Sequence, residues 1–256
     1  MSFLHEVVAS REREVAEAKR HLPLDATRRS LTDRRDFAAA LRRGSPAIVA
    51  EIKRASPSAG PIADASAAEL ARAYENAGAA AISVVTEPHW FGGSLDDVRT
   101  ARAACSLPML RKDFIIDEYQ VEESVCAGAD AVLLIVAALD QPNLKKLHAL
   151  AESCGLCALV EVHDEAEAAR ALDAGATVVG VNNRDLNSLA VDMTTAPRVR
   201  RALPAGIITV AESGYQSCDQ LRACYEAGFD AVLVGEALLR AESPQALLRS
   251  LRGVPA

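Results

Sequence analysis

The feature that most constrains the fold is a short motif that occurs four times along the chain. Each copy begins with Ala-Gly and continues at once into a run of small and β-branched apolar residues. Glycine is the preferred residue for the left-handed turn that ends a helix, and the apolar run is typical of a buried strand. The motif therefore predicts a helix end followed by a strand, repeated about every 50 residues. The copies are 77–82, 127–132, 174–179 and 227–232.

Further apolar runs between these copies bring the number of predicted strands to eight. Most of the runs are nearly continuous, as expected for parallel strands that helices cover on the outside. The predicted strands are 48–54, 80–87, 108–114, 131–136, 157–162, 178–184, 207–213 and 231–236, and the helices predicted between them include 66–77, 118–127, 141–154, 164–174 and 217–227.

Eight strands that alternate with helices can close into a barrel or form an open, doubly wound sheet. The even repeat and the absence of a Gly-x-Gly-x-x-Gly loop after the first strand favour the barrel. The length of 256 residues also fits one (β/α)8 TIM barrel, which is an α/β fold. We therefore expect a single barrel domain over residues 1–256, with residues 1–47 as an N-terminal helical extension.

The extension itself reads as two helices. Apolar residues at close to helical spacing predict a first helix that Pro23 ends, and residues 33–43 predict a second, short one. One face of these helices is too apolar for a linker. We expect them to cover the bottom of the barrel or one lip of its top.

Composition argues against several classes of partner. The net charge of −7, without a dominant basic patch, argues against nucleic acid. No apolar run approaches the ~20 residues that span a bilayer, and no signal peptide is expected at the N-terminus. The six irregularly spaced cysteines fit reduced thiols, so we expect a cytoplasmic protein without a membrane partner or an obligate protein partner. The Cys154-x-x-Cys157 motif stands alone, so no metal site is expected.

Polar residues gather where the predicted strands end. Seven of the eight strands finish in polar residues or glycine, and only the fourth ends apolar. Active sites of barrels lie at the carboxyl ends of the strands. A solvated rim would explain one polar end but hardly seven, so we expect a catalytic ring. The polar ends are Glu51 with Lys53, Thr86 with Glu87, 111–113, Glu161 with His163, 182–185, 212–214, and Gly235 with Glu236.

The charges of this ring suit a phosphorylated substrate. Lys53, Lys112 and Arg184 supply cations for a phosphate and a second anionic group. The two lysines also fit general acids, because a desolvated lysine beside another cation has a lowered pKa. Glu51 and Glu161 fit either bases or groups that orient the lysines, and the sequence leaves both roles open.

The ends of strands 7 and 8 are predicted to bind the phosphate. Barrels often bind phosphate there through backbone N–H groups, and small residues let the backbone approach closely. Tight strand–helix turns would use the same small residues, which is the structural alternative. The predicted phosphate-binding residues are Ser213, Gly214, Gly235 and Glu236.

Two residues near the strand ends, Phe91 and His163, have structural roles as alternatives to functional ones. Phe91 fits an aromatic wall of the site or a plug of the core. His163 shares a face with Glu161, but no ligand set surrounds it, so we expect a packed rim histidine. No Ser/His/Asp or Cys/His pairing occurs at the strand ends, so nucleophilic acyl transfer is not expected.

Six groups of residues together resemble the indole-3-glycerol-phosphate synthase family. They are long, occur in order, and extend the resemblance from the N-terminal helices to strand 8, nearly the whole chain. They are 50–58 (AEIKRASPS), 86–87 with 91–94 (TE and FGGS), 110–115 (LRKDFI), 159–163 (LVEVH), 180–186 (GVNNRDL) and 211–214 (AESG).

The resemblance implies an enzyme of tryptophan biosynthesis that uses neither a metal nor an organic cofactor. Its small-molecule substrate would be 1-(2-carboxyphenylamino)-1-deoxyribulose 5-phosphate, a phosphorylated aryl-amino sugar. The substrate would close to an indole ring with loss of CO2 and water. Lys112 would be the general acid for ring closure, and Lys53 and Glu161 are candidates for the dehydration. Glu51 is an alternative base or the partner of a lysine.

The resemblance also implies further roles around the ring. Asn182 and Arg184 would hold polar groups of the substrate, and Glu212 and Ser213 would complete the catalytic group. Glu236 would bind phosphate through its backbone only. The implied substrate contacts are Ser56, which would hold the anthranilate carboxylate, together with Phe91 and Leu133.

Two rival functions share parts of this pattern. A sugar-phosphate isomerase or epimerase would use the same phosphate site, but the pair of lysines and Phe91 disfavour it. The second rival function is that of a catalytically inactive barrel, which would bind a phosphorylated ligand or a partner protein. The intact set of Glu51, Lys53, Lys112 and Glu161 argues against it.

Overall fold

Eight parallel strands close into a barrel, with helices on the outside. A computed structural model describes residues 2–21, 33–44, 46–56, 60–61 and 66–253 of the chain. The strands are β1 Ala47–Ile52, β2 Ala81–Val85, β3 Met109–Lys112, β4 Ala131–Ile135, β5 Cys157–Val162, β6 Val178–Asn182, β7 Ile208–Glu212 and β8 Ala231–Val234. Their order around the barrel follows the chain, and β8 pairs with β1, which confirms the (β/α)8 barrel.

The helices end where the repeated motif predicted. The glycines of the four copies have φ between 86° and 92° and follow α3, α5, α7 and α9, defined below, so each occupies the left-handed turn after its helix. The predicted end of the first helix at Pro23 lies outside the described residues. No helix within the described ranges is long and apolar enough to cross a membrane. The helices are α1 Phe3–His21, α2 Phe37–Leu41, α3 Ala67–Asn76, α4 Leu95–Ala104, α5 Glu118–Ala127, α6 Gln141–Ser153, α7 Glu165–Asp173, α8 Thr195–Arg200, α9 Cys218–Glu226, α10 Glu236–Arg240 and α11 Pro244–Leu251.

The strands end earlier than predicted, so several polar residues lie in the loops. Predicted strand 80–87 ends at Val85, and predicted strand 231–236 ends at Val234 because Gly235 begins the turn into α10. Apolar runs mark the buried ladder, but nothing in the sequence marks the last ladder pair.

Alternation along the strands sorts the side chains into two layers. Val49 of β1 joins the apolar cluster inside the barrel, whereas Ala50 joins the cluster between the strands and the helices. Successive side chains point to opposite faces, so Glu51 returns to the interior. On β3, Leu110 is inside and Lys112 follows it toward the carboxyl end. The barrel is thus apolar at its centre and charged at its upper layer.

The two N-terminal helices cover opposite ends of the barrel. α2 lies at the amino-terminal end, where Phe37 enters the interior cluster and the backbone N–H of Arg35 donates to Asp130 at 2.9 Å. α1 lies at the carboxyl end, where Arg11 pairs with Asp113, the residue that follows β3. Each helix therefore takes one of the two positions that the sequence left open.

Candidate active site

The carboxyl ends of the strands surround a cavity of about 430 Å³. Nearly every residue predicted for the site lines it. The exception is Ser56, whose side chain lies outside the described part of the chain; its backbone pairs with Gly60 in a short ribbon. The predicted residues that line the cavity are Glu51, Lys53, Phe91, Lys112, Leu133, Glu161, Asn182, Arg184, Glu212, Ser213, Gly214, Gly235 and Glu236.

Lys112 lies at the centre of the buried charges. Its Nζ is 3.2 Å from Oε2 of Glu161 and 3.3 Å from Oε2 of Glu212. Burial disfavours the ammonium, but the charges of Glu161, Glu212 and Glu51 outweigh burial and raise the pKa of Lys112 above its ordinary value. The expectation of a lowered pKa is therefore wrong for Lys112, because carboxylates rather than a cation dominate its surroundings.

The two glutamates beside Lys112 differ in their charge. Both are almost fully buried, which favours their neutral forms. For Glu161 the charges of Lys112 and His163 outweigh burial, so the pKa of Glu161 is lowered well below its usual range. For Glu212 burial, together with the charges of Glu161 and Glu51, outweighs Lys112 and raises the pKa to about 7. The site therefore holds one glutamate as an anion and a second that titrates near neutrality.

A second acid–base pair, Glu51 with Lys53, borders the same cavity. Nζ of Lys53 lies 2.8 Å from Oε1 of Glu51, and only 13% and 5% of their respective side chains are exposed. They lie two positions apart in the chain, so both side chains point to the same side of the backbone. The pair predicted from the sequence is thus formed.

Two glycines, Gly180 and Gly235, lack the side chain that would overlap with the carboxylates of Glu212 and Glu51. A Cβ at Gly180 of β6 would lie 2.2 Å from Oε1 of Glu212, and a Cβ at Gly235 would lie 2.3 Å from Oε1 of Glu51. Both distances are far shorter than a non-bonded contact, so alanine at either position would displace a carboxylate. The sequence analysis did not identify Gly180, although a glycine inside a strand signals a close approach.

The loops after β7 and β8 provide small residues on one side of the cavity, and Arg184, which follows β6, provides a cation there. Ser213 and Gly214 have φ values of 66° and 90°. A serine in the left-handed region is uncommon, and such backbone conformations cluster at functional sites. Arg184 approaches Glu236 with an Nη2–Oε2 distance of 3.8 Å, and its backbone N–H donates to Oδ1 of Asn182 at 2.9 Å. This side suits an anionic group.

Apolar side chains form another part of the lining. Phe91 borders the cavity and also packs against the interior cluster, so both roles considered for it apply. Leu133 and Phe114 lie in the same cluster and also line the cavity. An apolar wall with a few placed charges is typical of small-molecule sites.

Other polar strand ends serve the scaffold. Nη2 of Arg111 donates to Asp113 at 2.9 Å and its Nε donates to Oγ1 of Thr86 at 3.1 Å, outside the barrel wall. Glu87 is buried and accepts the backbone N–H of Phe91 at 3.0 Å, which fixes the turn that carries this ring. The predicted ring of seven strand ends therefore contains residues that line the cavity, residues that support it, and two, Glu87 and Asp113, that do both.

His163 makes two charged contacts, more than the packed rim residue that was expected. Its Nε2 lies 3.4 Å from Oε1 of Glu161 and its Nδ1 lies 3.0 Å from Oε2 of Glu167. Burial opposes the imidazolium, but the two carboxylates outweigh it and raise the pKa of His163 to about 10. The ring is therefore positively charged at neutral pH, and it lies behind Glu161 rather than in the cavity lining.

Sequence comparisons identify one family. The family model described as Indole-3-glycerol phosphate synthase matches residues 4–251. "Indole-3-glycerol phosphate synthase 2" of Streptomyces coelicolor is 53% identical over 220 residues, which cover 86% of this chain and 85% of that protein. The "Indole-3-glycerol phosphate synthase" of Mycolicibacterium vanbaalenii is 54% identical and covers 84% and 80%. The protein of that name from Polaromonas naphthalenivorans is 45% identical and covers 98% of both chains.

Comparison with solved structures supports the barrel fold alone, because the sequence identities are low. Thiamine phosphate pyrophosphorylase from Pyrococcus furiosus is similar with a TM-score of 0.62 at 19% identity, over 83% of this chain and 96% of that chain. Mandelate oxidase with (S)-2-phenylpropionate is similar with a TM-score of 0.58 at 20% identity, over 73% of this chain and 65% of that one. The family match over residues 4–251 and the relatives at 45–54% identity show the family as well as the fold. The chain therefore belongs to the indole-3-glycerol phosphate synthase family.

Proposed function

We propose that this protein converts 1-(2-carboxyphenylamino)-1-deoxyribulose 5-phosphate into indole-3-glycerol phosphate. The reaction closes the indole ring with loss of CO2 and water, a step of tryptophan biosynthesis, and makes the protein a carboxy-lyase. Family membership over residues 4–251 supports it. The observation that carries the proposal is the charged Lys112, held by buried glutamates in a cavity that combines an apolar wall with a side formed by small residues and Arg184.

Ring closure needs a cation at the ketone of the substrate. The aromatic carbon attacks the carbonyl carbon, a C–C bond forms, and negative charge develops on the carbonyl oxygen. A buried ammonium stabilises that charge far better than water does, because it is already oriented. We assign this role to Lys112, which then transfers its proton to the oxygen. The carboxylate is then lost as CO2. The hydroxyl formed from the carbonyl oxygen remains, and the final step removes it as water.

Dehydration needs an acid for the leaving hydroxyl and a base for a proton. Lys53 is the acid in this proposal, and Glu51, 2.8 Å from it, is the base or the partner that sets its charge. Glu161 is the weaker candidate for the base, because the lowered pKa of its carboxyl makes it a poor proton acceptor. We therefore assign Glu161 to orienting Lys112.

Binding is assigned to the remaining residues of the lining. Asn182 and Arg184 hold polar groups of the substrate, and Phe91 and Leu133 contact its aryl ring. Ser56 holds the anthranilate carboxylate. The phosphate is bound at Ser213, Gly214, Gly235 and the backbone of Glu236. A charged sugar phosphate does not cross membranes unaided, so a cytoplasmic location is part of the proposal.

The test is direct. Purified, folded protein is mixed with the carboxyphenylamino deoxyribulose phosphate, and the appearance of indole fluorescence is followed. Product formation that rises with protein concentration supports the proposal. Absence of product from folded protein would overturn it. In that case isomerisation of pentose phosphates would support the isomerase alternative, and substrate binding without turnover would support an inactive binding barrel.

A further inference from the structure

Lys112 lies at nearly equal distances from two glutamates. The Nζ–Oε2 distances are 3.2 Å to Glu161 and 3.3 Å to Glu212, and each glutamate side chain is 1% exposed. Lys112 donates a hydrogen bond to Glu161, whereas neither side-chain oxygen of Glu212 has a hydrogen-bond partner among the described residues. Two carboxylates this close to one ammonium compete for a shared proton. A second difference between the two glutamates arises outside the trio.

The difference lies on the far side of Glu161. His163 follows it by two residues at the end of β5, and its Nε2 lies 3.4 Å from Oε1 of Glu161. This buried Nε2 has no hydrogen-bond partner in the described part of the chain, so its contact with Glu161 is an ion pair. Glu167, in the first turn of α7, fixes the ring from the other side: its Oε2 accepts from the backbone N–H of His163 at 2.8 Å and lies 3.0 Å from Nδ1. Among the described residues, Lys112 is the only cation that acts on Glu212.

We infer that His163 is a positioning residue whose imidazolium, held by Glu167, fixes the negative charge on Glu161 and leaves Glu212 to exchange a proton with Lys112. The inference rests on the proposed function. The inference goes beyond the proposed function because it assigns a fixed negative charge to Glu161 and proton exchange to Glu212. Lys112 gives its proton to the carbonyl oxygen, regains one from Glu212, and Glu212 is reprotonated from solvent.

The electrostatics of the surrounding groups agree with this assignment. The pKa of His163 is raised to about 10, so the ring stays charged across the neutral range. Lys112 and His163 together hold Glu161 as an anion, with a smaller contribution from Asn182. The charged groups that face His163 are Glu161 of β5, Glu167 of α7 and Asp185 in the loop after β6, with Lys112 and Glu212 beyond Glu161.

The kinetic test compares three variants. His163→Gln keeps a hydrogen-bond donor but removes the charge, and His163→Lys keeps a charge. His148→Gln is the matched control, because His148 is also buried beside a glutamate four residues later, on α6 and away from the cavity. In His163→Gln the pKa of Glu161 rises, so the acid limb of kcat moves to higher pH by about one unit, which is about a tenfold loss at any pH that lies on this limb. KM changes little, since His163 does not line the cavity. His163→Lys restores the profile and His148→Gln keeps it.

A second measurement does not depend on activity. Ring 15N and 13C NMR of the wild-type protein at pH 8 is expected to show one histidine with both nitrogens protonated, absent from His163→Gln. A neutral His163 at pH 8 would overturn the inference, whether or not the variant folds. So would a His163→Gln profile equal to that of an active wild type. A wild type without turnover would instead contradict the proposed reaction, and the NMR result would still decide the charge of His163.

Discussion

The end of β3 carries two buried ionic clusters that lie back to back. Outside the barrel wall, the Arg111 guanidinium bonds to Asp113 at 2.9 Å and to Oγ1 of Thr86 at 3.1 Å, and it also donates to a backbone carbonyl and a serine hydroxyl of α5. Inside the wall, the next residue, Lys112, faces carboxylates at 3.2 and 3.3 Å. Both side-chain oxygens of Glu212 lack a well-aligned hydrogen bond among the described residues.

This difference separates scaffold from site. Buried ions whose hydrogen bonds are all made have nothing left to offer a ligand, and they hold the elements around them in place. Buried ions with unmade hydrogen bonds cost free energy, and such exceptions call for a functional explanation. The outer cluster also includes Arg11 of α1, 3.1 Å from Asp113, so it ties the N-terminal helix to the strand that carries Lys112. Nε of Arg11 is the one nitrogen of the two guanidinium groups without a hydrogen-bond partner among the described residues.

The largest expected effect is the loss of turnover in Lys112→Ala. Removing the general acid should lower kcat by about 10²–10⁴-fold. The protein should stay folded, because Glu161 and Glu212 border the cavity and can take up protons when their cation is lost. Steady-state kinetics and circular dichroism measure the two effects. Lys145→Ala, an exposed lysine of α6 paired with Asp173, is the matched control and should retain activity. Near wild-type turnover in Lys112→Ala would remove its assigned role.

Arg111→Met should act on stability instead. It removes one of the two cations that contact the buried Asp113 and leaves Arg11 as the other, which should lower the free energy of unfolding by about 3 kcal/mol, the low end of the cost of a broken buried pair. Urea denaturation measures this loss, and kcat per folded molecule should fall far less than in Lys112→Ala. The control Arg99→Met removes an exposed pair with Asp96 and should cost about 0–1 kcal/mol. Equal stability losses in the two variants would contradict the contrast between the clusters.

Gly180→Ala should disturb the charged residues around Lys112, although no charged residue is replaced. The added Cβ, 2.2 Å from Oε1 of Glu212, must displace that carboxylate from Lys112. We expect kcat to fall about tenfold to a hundredfold, since small displacements of catalytic groups have effects of this size. Gly206→Ala is the control, because a Cβ there meets nothing within 4 Å. It should change stability alone. Unchanged kcat in Gly180→Ala would show that the position of Glu212 does not matter.

The smallest expected effect is a pH dependence of stability. Folding raises the pKa of Glu212 to about 7, so the folded state binds its proton more tightly than the unfolded chain and is favoured below neutrality. Relative to Glu212→Gln, the wild type should therefore lose about 1 kcal/mol of unfolding free energy between pH 6 and pH 8. Asp113→Asn is the comparison: its carboxyl has a lowered pKa, so its difference from the wild type should be flat over that range. A flat difference for Glu212→Gln as well would contradict its assigned titration.

The fold and the membership of the site could be predicted because both follow from local patterns. Each Ala-Gly motif marks a helix end and a strand start by the chemistry of its own few residues. Parallel strands of a barrel all end on one side, so Glu51, Lys112 and Glu161 could be placed together without coordinates. Strand ends were less predictable, because the last ladder pair depends on the neighbouring strand, as Gly235 shows at the end of β8.

The roles within the site depended on distances that no local pattern contains. The raised pKa of Lys112 and the space beside Gly180 join residues from different strands, and the charge of His163 depends on Glu167 of α7. Electrostatic interactions depend on separation and burial, and both are properties of the closed barrel. The sequence by itself thus determined a barrel, its charged end and the residues that gather there. Only the tertiary structure decided which charges meet, which are satisfied by the scaffold, and which remain available for chemistry.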